Sequence, residues 1–279
     1  MKKINKLLVL LLLVSSVAFS QKKDKIKGSK IVTIEKKIID SFNALEVSDD
    51  VEIILVKGTD CGIEIEADDN LHDAIAIDLS GSILKISSTK KVFGYKKFSV
   101  IVTCKDDFNS IVAKDDSKVT AISNVDFDAL NIKSFDDSKL YITTKTTLFN
   151  FVLDGKSKAE LNLKADKTVI SLSKNSEVKA LITSKEMTFD MYQKSDATIE
   201  GDVEELKIRL DNNSNFVGKN LLSKNVSIKT EGYANASIQS RLNSIIDASG
   251  KSEIELYGDS KIELKQFADS AILKKKPLK

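Results

Sequence analysis

From Ile31 onward, apolar and polar residues alternate with a period of two, the pattern of strands that bury one face. The segments IVTIE, FNALEV, DVEIILV, GIEIEA, AIAIDL, ILKISS and FSVIVT are predicted strands. Turn-forming residues separate them at Ser48-Asp49-Asp50, Lys57-Gly58-Thr59-Asp60, Asp68-Asp69-Asn70 and Ser80-Gly81-Ser82. A helical turn is expected only around residues 70–76.

From Phe108 a longer period is laid over the alternation. Ser117, Ser138, Ser157, Ser176, Ser195 and Ser214 follow one another at steps of 21, 19, 19, 19 and 19 residues, and the frame is expected to continue through Ala236 and Ser252. Six residues before each of the six serines stand Ile111, Ile132, Phe151, Ile170, Phe189 and Ile208; two residues after them stand Val119, Leu140, Ala159, Val178, Ala197 and Phe216. The two residues before each serine, such as Asp115-Asp116, Gly155-Lys156 and Asn212-Asn213, are of the kind that turns favour. A propeller blade needs about twice this period, and the leucine-asparagine pattern of leucine-rich repeats is missing. Antiparallel hairpins would not require the same corner chemistry every coil, whereas stacked parallel coils do. The expected fold is therefore all-β, a right-handed parallel β-helix (β-solenoid) with coils of about 20 residues. The serine column is read as scaffold: an inside corner has room only for a small side chain, and a buried hydroxyl can bond the turn backbone.

This pattern divides the chain into a single solenoid domain over residues 31–273. It comprises an irregular N-terminal half (31–107), regular coils (108–256) and a C-terminal cap (257–273) that turns at Gly258-Asp259. A polar lead-in at 21–30 is expected to be flexible, and the basic tail at 274–279, with the only proline, to be disordered.

Residues 1–20 have a basic start, an apolar run from Leu7 to Val14 and small residues at Ala18 and Ser20. These are the marks of a secretory signal peptide cut between Ser20 and Gln21, and the apolar run is short for a membrane span. No later segment is apolar enough to cross a bilayer, so an exported protein is expected. The leader changes the charge. The whole chain carries 43 basic and 41 acidic side chains, but three of the lysines belong to the leader, which leaves the remainder near −1. A near-neutral surface with interspersed signs gives no electrostatic reason to bind nucleic acid.

Candidate chemistry is sparse. The two cysteines, Cys61 and Cys104, each share the phase of an inward alternation, so they are either bridged or packed as buried thiols. His72 is the only histidine and is expected on the surface, which removes the basis for a histidine-dependent catalytic triad. Asp115, Asp116, Asp136 and Asp137 should occupy equivalent corners of successive coils. As a group they could hold calcium, which takes several oxygens in flexible geometry, although solvated turn residues are the simpler reading and no other cofactor is expected. Phe135, Tyr192 and Tyr233 share an outward corner position but are too dispersed to stack one sugar chain.

The N-terminal half also carries a resemblance. Phe42, Leu45-Glu46-Val47, Val51-Glu52-Ile53, Gly58, Ile63-Glu64-Ile65-Glu66-Ala67, Asp69-Asn70-Leu71, Gly81 with Leu84-Lys85-Ile86, and Val100-Ile101-Val102 follow one another in the order and spacing of the putative auto-transporter adhesin, head GIN domain family. The similarity covers about residues 39–226. Lys105-Asp106-Asp107 departs from it, where related sequences often have a proline. The resemblance implies a β-solenoid exported by Bacteroidota, and so to the periplasm or cell surface of a Gram-negative bacterium, with no established biochemical activity and no functional residues to carry over. The expected function is accordingly a non-enzymatic, adhesin-like binding or scaffold protein of the cell envelope, with an envelope protein or polysaccharide as partner. The alternative is a polysaccharide lyase or hydrolase, since such enzymes also use β-helices.

Overall fold

The computed structural model describes residues 23–121 and 126–278. The leader and its Ser20–Gln21 cleavage point lie outside the described residues.

The regular coils are long, bent strands: β13 (Lys139–Leu153), β14 (Lys158–Leu172), β15 (Glu177–Met191), β16 (Asp196–Leu210), β17 (Asn215–Thr230) and β18 (Asn235–Ala248). Each pairs in parallel with the next, so equivalent residues stack one above another. One inward column runs Leu140, Ala159, Val178, Ala197, Phe216, Ala236; another runs Phe151, Ile170, Phe189, Ile208, Ile228, Ile246. These side chains are almost completely buried. Midway along a coil, two consecutive residues are exposed, as at Thr147-Leu148 and Lys185-Glu186. There the alternation changes phase and the chain passes from one sheet face to the other. Altogether the solenoid has about nine turns of roughly 19 residues.

The tight corner has one geometry throughout. Asp49, Asp115, Asp136, Lys174, Gln193 and Asn212 all have positive φ, as do Gly155, Gly232 and Gly250 in the equivalent positions. Such a conformation suits glycine, asparagine and aspartate best. Successive turns are joined by backbone hydrogen bonds, for example Lys156 N to Asp136 O (2.7 Å) and Asn175 N to Gly155 O (2.8 Å). Two residues after the left-handed position stands the inside corner, a buried serine at Ser117, Ser138, Ser157, Ser176, Ser195, Ser214 and Ser252 and a buried Val51 or Ala234 in the two other coils. Ser138, Ser176, Ser195 and Ser252 donate their hydroxyls to the carbonyl three residues back, at 2.7 to 3.0 Å. Ser176→Leu should therefore lower stability by roughly 1–3 kcal/mol through overpacking, and Ser176→Ala by about 1 kcal/mol through one lost hydrogen bond. Equal urea midpoints for the two variants would contradict an inward column.

The frame needs one correction. Asn215 pairs with Asn235, and Asn235 with Glu253, so the residue stacked between Ser214 and Ser252 is Ala234, not Ala236. β17 carries irregular register around residues 218–225 on both sides. A two-residue slip preserves the inward phase, so hydrophobic alternation alone could not detect it.

The N-terminal region builds its layers out of chain order. Strands β3 (Ala44–Val47) and β4 (Glu52–Lys57) form one coil, β7 (Ile83–Ser88) and β9 (Phe98–Cys104) the coil on one side of it, and β10 (Ser110–Ala113) and β11 (Lys118–Ala121) the coil on the other. β12 (Phe127–Ser134) then leads into the regular stack. Strands β5 (Gly62–Asp68), β2 (Val32–Ile38) and β6 (Ile75–Ser80) pair antiparallel, β5 with β9 and β2 with β5, and β6 with β7, closing this end. Phe42, Phe108 and Phe127 fill the junction with ring centroids 6.2 and 5.5 Å apart. The expected helical turn is a short 3-10 segment, His72–Ala74.

Both termini differ from expectation. The lead-in is not free over its described part: β1 (Lys25–Lys27) pairs with β8 (Lys91–Phe93), and Asn70 bonds both Lys27 O and Ser29 N at 2.9 Å. At the other end the expected hairpin cap is one more coil. After β19 (Glu253–Tyr257), the chain forms β20 (Lys261–Phe267), parallel to β18, and β21 (Ile272–Lys276), parallel to β19. The tail expected to be disordered thus supplies Lys274–Lys276 to a strand. Ile262, Leu264 and Phe267 continue inward columns but remain exposed. The open edge is blunted by a register shift beside Asp247 and by Lys275 on the inward column of Leu256, devices that discourage edge-to-edge pairing.

Candidate binding surface

The structure brings the four predicted corner acids together and adds two more. Asp115-Asp116 stacks on Asp136-Asp137 on one side and on Asp49-Asp50 on the other, through the β10–β12 and β10–β3 pairings. Asp49 and Asp50 were hidden from the sequence repeat because their coil lies in the irregular half. The carboxylates at left-handed positions serve the backbone: Asp115 Oδ2 accepts from Asp49 N at 3.2 Å, Asp49 Oδ2 from Ser88 N at 3.2 Å, and Asp269 repeats the arrangement with Gly250 N at 2.9 Å. Lys23 also pairs with Asp49. Burial, then the neighbouring Asp116 carboxylate, pushes Asp50 above its ordinary value. Among the described residues no three acidic, histidine or cysteine side chains converge as a metal ion needs.

A second feature lies at the other corner. Thr146, Ala165, Ser184 and Val203 form one column there, and their outward neighbours line an open groove of about 630 Å³. The buried hydroxyls hold the bend: Thr146 Oγ1 donates within 3.0 Å of Asp128 O and Leu148 O, and Ser184 Oγ to Glu186 O at 2.9 Å. Ala165 and Val203 interrupt this hydroxyl column, so it leaves no regular repeat in the sequence. At one end Lys57 bonds Asp106 Oδ1 and Asp126 O, both at 2.6 Å, and lies over the Phe127 ring. Lys185 pairs with Asp166 at 2.8 Å. Lys145 and Lys164, stacked in register, make no ion pair among the described residues and point charge into the groove. The lining is thus a strip of alternating cations, carboxylates and hydroxyls that crosses several coils. Such a strip can donate and accept hydrogen bonds along an extended ligand.

The remaining candidates are dispersed. His72, expected on the surface, is partly covered by β2: its side chain is 14% exposed, with Nε2 2.8 Å from Thr33 Oγ1 and Nδ1 3.5 Å from Glu35 Oε2. Tyr192 stacks with Arg209, and Tyr233 with Lys251. The register correction also moves Tyr233 off the column of Phe135 and Tyr192. Cys61 and Cys104 are both buried free thiols. Among the described residues no helix is long and apolar enough to cross a membrane.

Similarity to other proteins follows this architecture. The family model described as putative auto-transporter adhesin, head GIN domain, matches residues 41–260. A putative adhesin from Parabacteroides merdae has 21% identity and a TM-score of 0.64, covering 91% of this chain and 98% of its own. A putative adhesin from Parabacteroides distasonis has 18% identity and a TM-score of 0.66, covering 90% and 100%. A putative lipid binding protein from the same species has 10% identity and a TM-score of 0.64, covering 92% and 100%. At these identities the structural likeness establishes the shared fold. No curated protein matches the sequence.

Proposed function

The chain belongs to the putative auto-transporter adhesin, head GIN domain family, and on that footing we propose that it is an exported, non-enzymatic binding protein of the cell envelope whose ligand is a polysaccharide. The observation that carries this reading is the open polar groove at the second corner, lined by Lys145, Lys164, Asp166, Thr183 and Lys185. Its lining offers both signs of charge and several hydroxyls, which suits a hydroxyl-rich chain of low net charge. The groove is built on rigid strands, so ligand contacts are pre-organised. The adhesin descriptions of the family and of its structural neighbours support a binding role. The leader-like residues 1–20 support export.

The test is calorimetric titration of the protein with a panel of neutral and acidic envelope polysaccharides, with and without chelator. Binding of at least one is expected, with a loss of about tenfold or more in the Lys145→Glu/Lys164→Glu double variant, which reverses two groove charges. Binding unchanged in that variant would remove the groove from the interface, and no binding across the panel would overturn the polysaccharide assignment. Release of new reducing or unsaturated ends would make the groove a cleavage site.

A further inference from the structure

We infer that Cys61 and Cys104 constitute a cross-strand disulfide site that staples the N-terminal end of the solenoid. β5 and β9 pair antiparallel with Gly62 opposite Thr103, and extending that register by one step sets Cys61 directly opposite Cys104. Residues opposite one another on antiparallel strands point to the same face, with Cα atoms about 4.5–5.5 Å apart. A disulfide spans about 4.4–6.8 Å between Cα atoms. Both side chains point inward, in phase with Ile63 and Ile65 on one strand and Val100 and Val102 on the other, all of them buried. Cys104 lies where three segments meet: its residue pairs with Lys57 of β4, its carbonyl accepts from Gly58 N at 2.9 Å, and its Sγ lies 3.5 Å from Val56 O.

The position also gives the link a purpose. Cys61 begins the excursion through β5, β6, β7, β8 and β9, and Cys104 ends it before the chain crosses to β10. A bond between them closes a loop of about 40 residues around the whole end layer, a length at which cross-linking constrains the unfolded chain substantially. That end layer is the coil of β7 and β9, stacked outside the β3–β4 coil that precedes it in the chain and closed by the antiparallel β5, so it has much to gain.

The chemistry balances with a low-molecular-weight disulfide such as oxidised glutathione as oxidant. Cys61, 8% exposed, is the less buried of the two and so the first to meet the oxidant, whereas Cys104 is fully buried. The Cys61 thiolate attacks the glutathione disulfide and releases one glutathione thiolate. The Cys104 thiolate then attacks Sγ of Cys61, forms the protein disulfide and expels the second glutathione. Two protein thiols lose two protons and two electrons, and the oxidant becomes two thiols. Burial, followed by the neighbouring Cys61, pushes the Cys104 thiol up to about 12; burial persists once Cys61 carries glutathione, so scarce Cys104 thiolate slows closure.

The protein is exposed to oxidised glutathione both as folded chain and during refolding from denaturant. It is then denatured, alkylated without reductant and weighed. The expected species is monomeric, lighter by two hydrogens and free of alkyl adducts, with a peptide linking Cys61 to Cys104. Its thermal midpoint should rise by about 5–10 °C and return on reduction. The Cys61→Ser/Cys104→Ser variant should show no such response. Two alkylated cysteines per chain in both arms, a glutathione adduct held at Cys61, or linkage between chains would each overturn the site.

Discussion

Gly201→Ala should destabilise the protein by about 4 kcal/mol, from left-handed backbone strain and overpacking together. Gly201 has φ of 121°, and a Cβ placed on it would lie 2.0 Å from the Ile182 carbonyl oxygen. That oxygen belongs to the stacked strand β15, whose Ile182 pairs with Gly201 in register. The neighbour cannot swing away as a side chain would, because moving it means bending a coil fixed on both sides. Gly201 also lies next to the register shift between β16 and β17, where one strand must absorb an extra residue. Gly62→Ala is the matched control: a Cβ there meets nothing within 4 Å, so its effect should stay within about 0.5 kcal/mol. Urea unfolding of both variants separates the two cases. Coincident midpoints would show that the stack relaxes around Gly201.

Asp68→Ala should lower stability by a similar amount, about 4 kcal/mol, for an unrelated reason. The Asp68 side chain is fully buried and accepts from three backbone N–H groups: Lys30 at 2.7 Å, Lys97 at 3.0 Å and Lys96 at 3.1 Å. Alanine would leave three part-buried donors without their acceptor, and would release both β1 and the β8–β9 connection. Burial alone would raise the Asp68 carboxyl, but these three bonds outweigh it and hold the group below its ordinary value. The sign for pH follows. The folded form binds this proton less tightly than the unfolded chain, so the stabilisation is complete above the ordinary carboxyl value of about 4 and fades as pH falls below it. Melting temperatures between pH 7 and pH 2.5 should drop more steeply for the wild type than for Asp68→Asn. Parallel curves would contradict a charged Asp68 in the folded state.

Much of this architecture was legible in the sequence, for physical reasons. A parallel stack repeats one environment in every coil, so the serine corner and the apolar positions around it recur in step from Ser117 to Ser214. Legibility failed where repetition failed. The slip at Ala234 arose in β17, where irregular pairing changes coil length without changing the inward phase. The exchanged order of the first coils was hidden because alternation shows that a strand has a buried face but not which strand lies beside it. The same blindness concealed the contribution of Asp49-Asp50 to the acidic corner. The groove was harder still, since its charged residues sit at outward positions that scaffold constraints leave free to vary. At the termini, composition suggested free segments at Lys25–Lys27 and Lys274–Lys276, but backbone pairing overrode it.

The displaced order of the first layers bears on synthesis. The Ala44–Lys57 coil leaves the ribosome before either of its neighbours, and both of its edges stay unpaired until Cys104 and then Ala121 have followed. Assembly therefore cannot advance coil by coil from the amino terminus. The first stretch of about 100 residues emerges as an open-edged, unfinished layer, the kind of intermediate that aggregates when left unprotected. The chain is thereby committed to late closure, and from Phe127 onward each new coil finds a finished edge waiting for it.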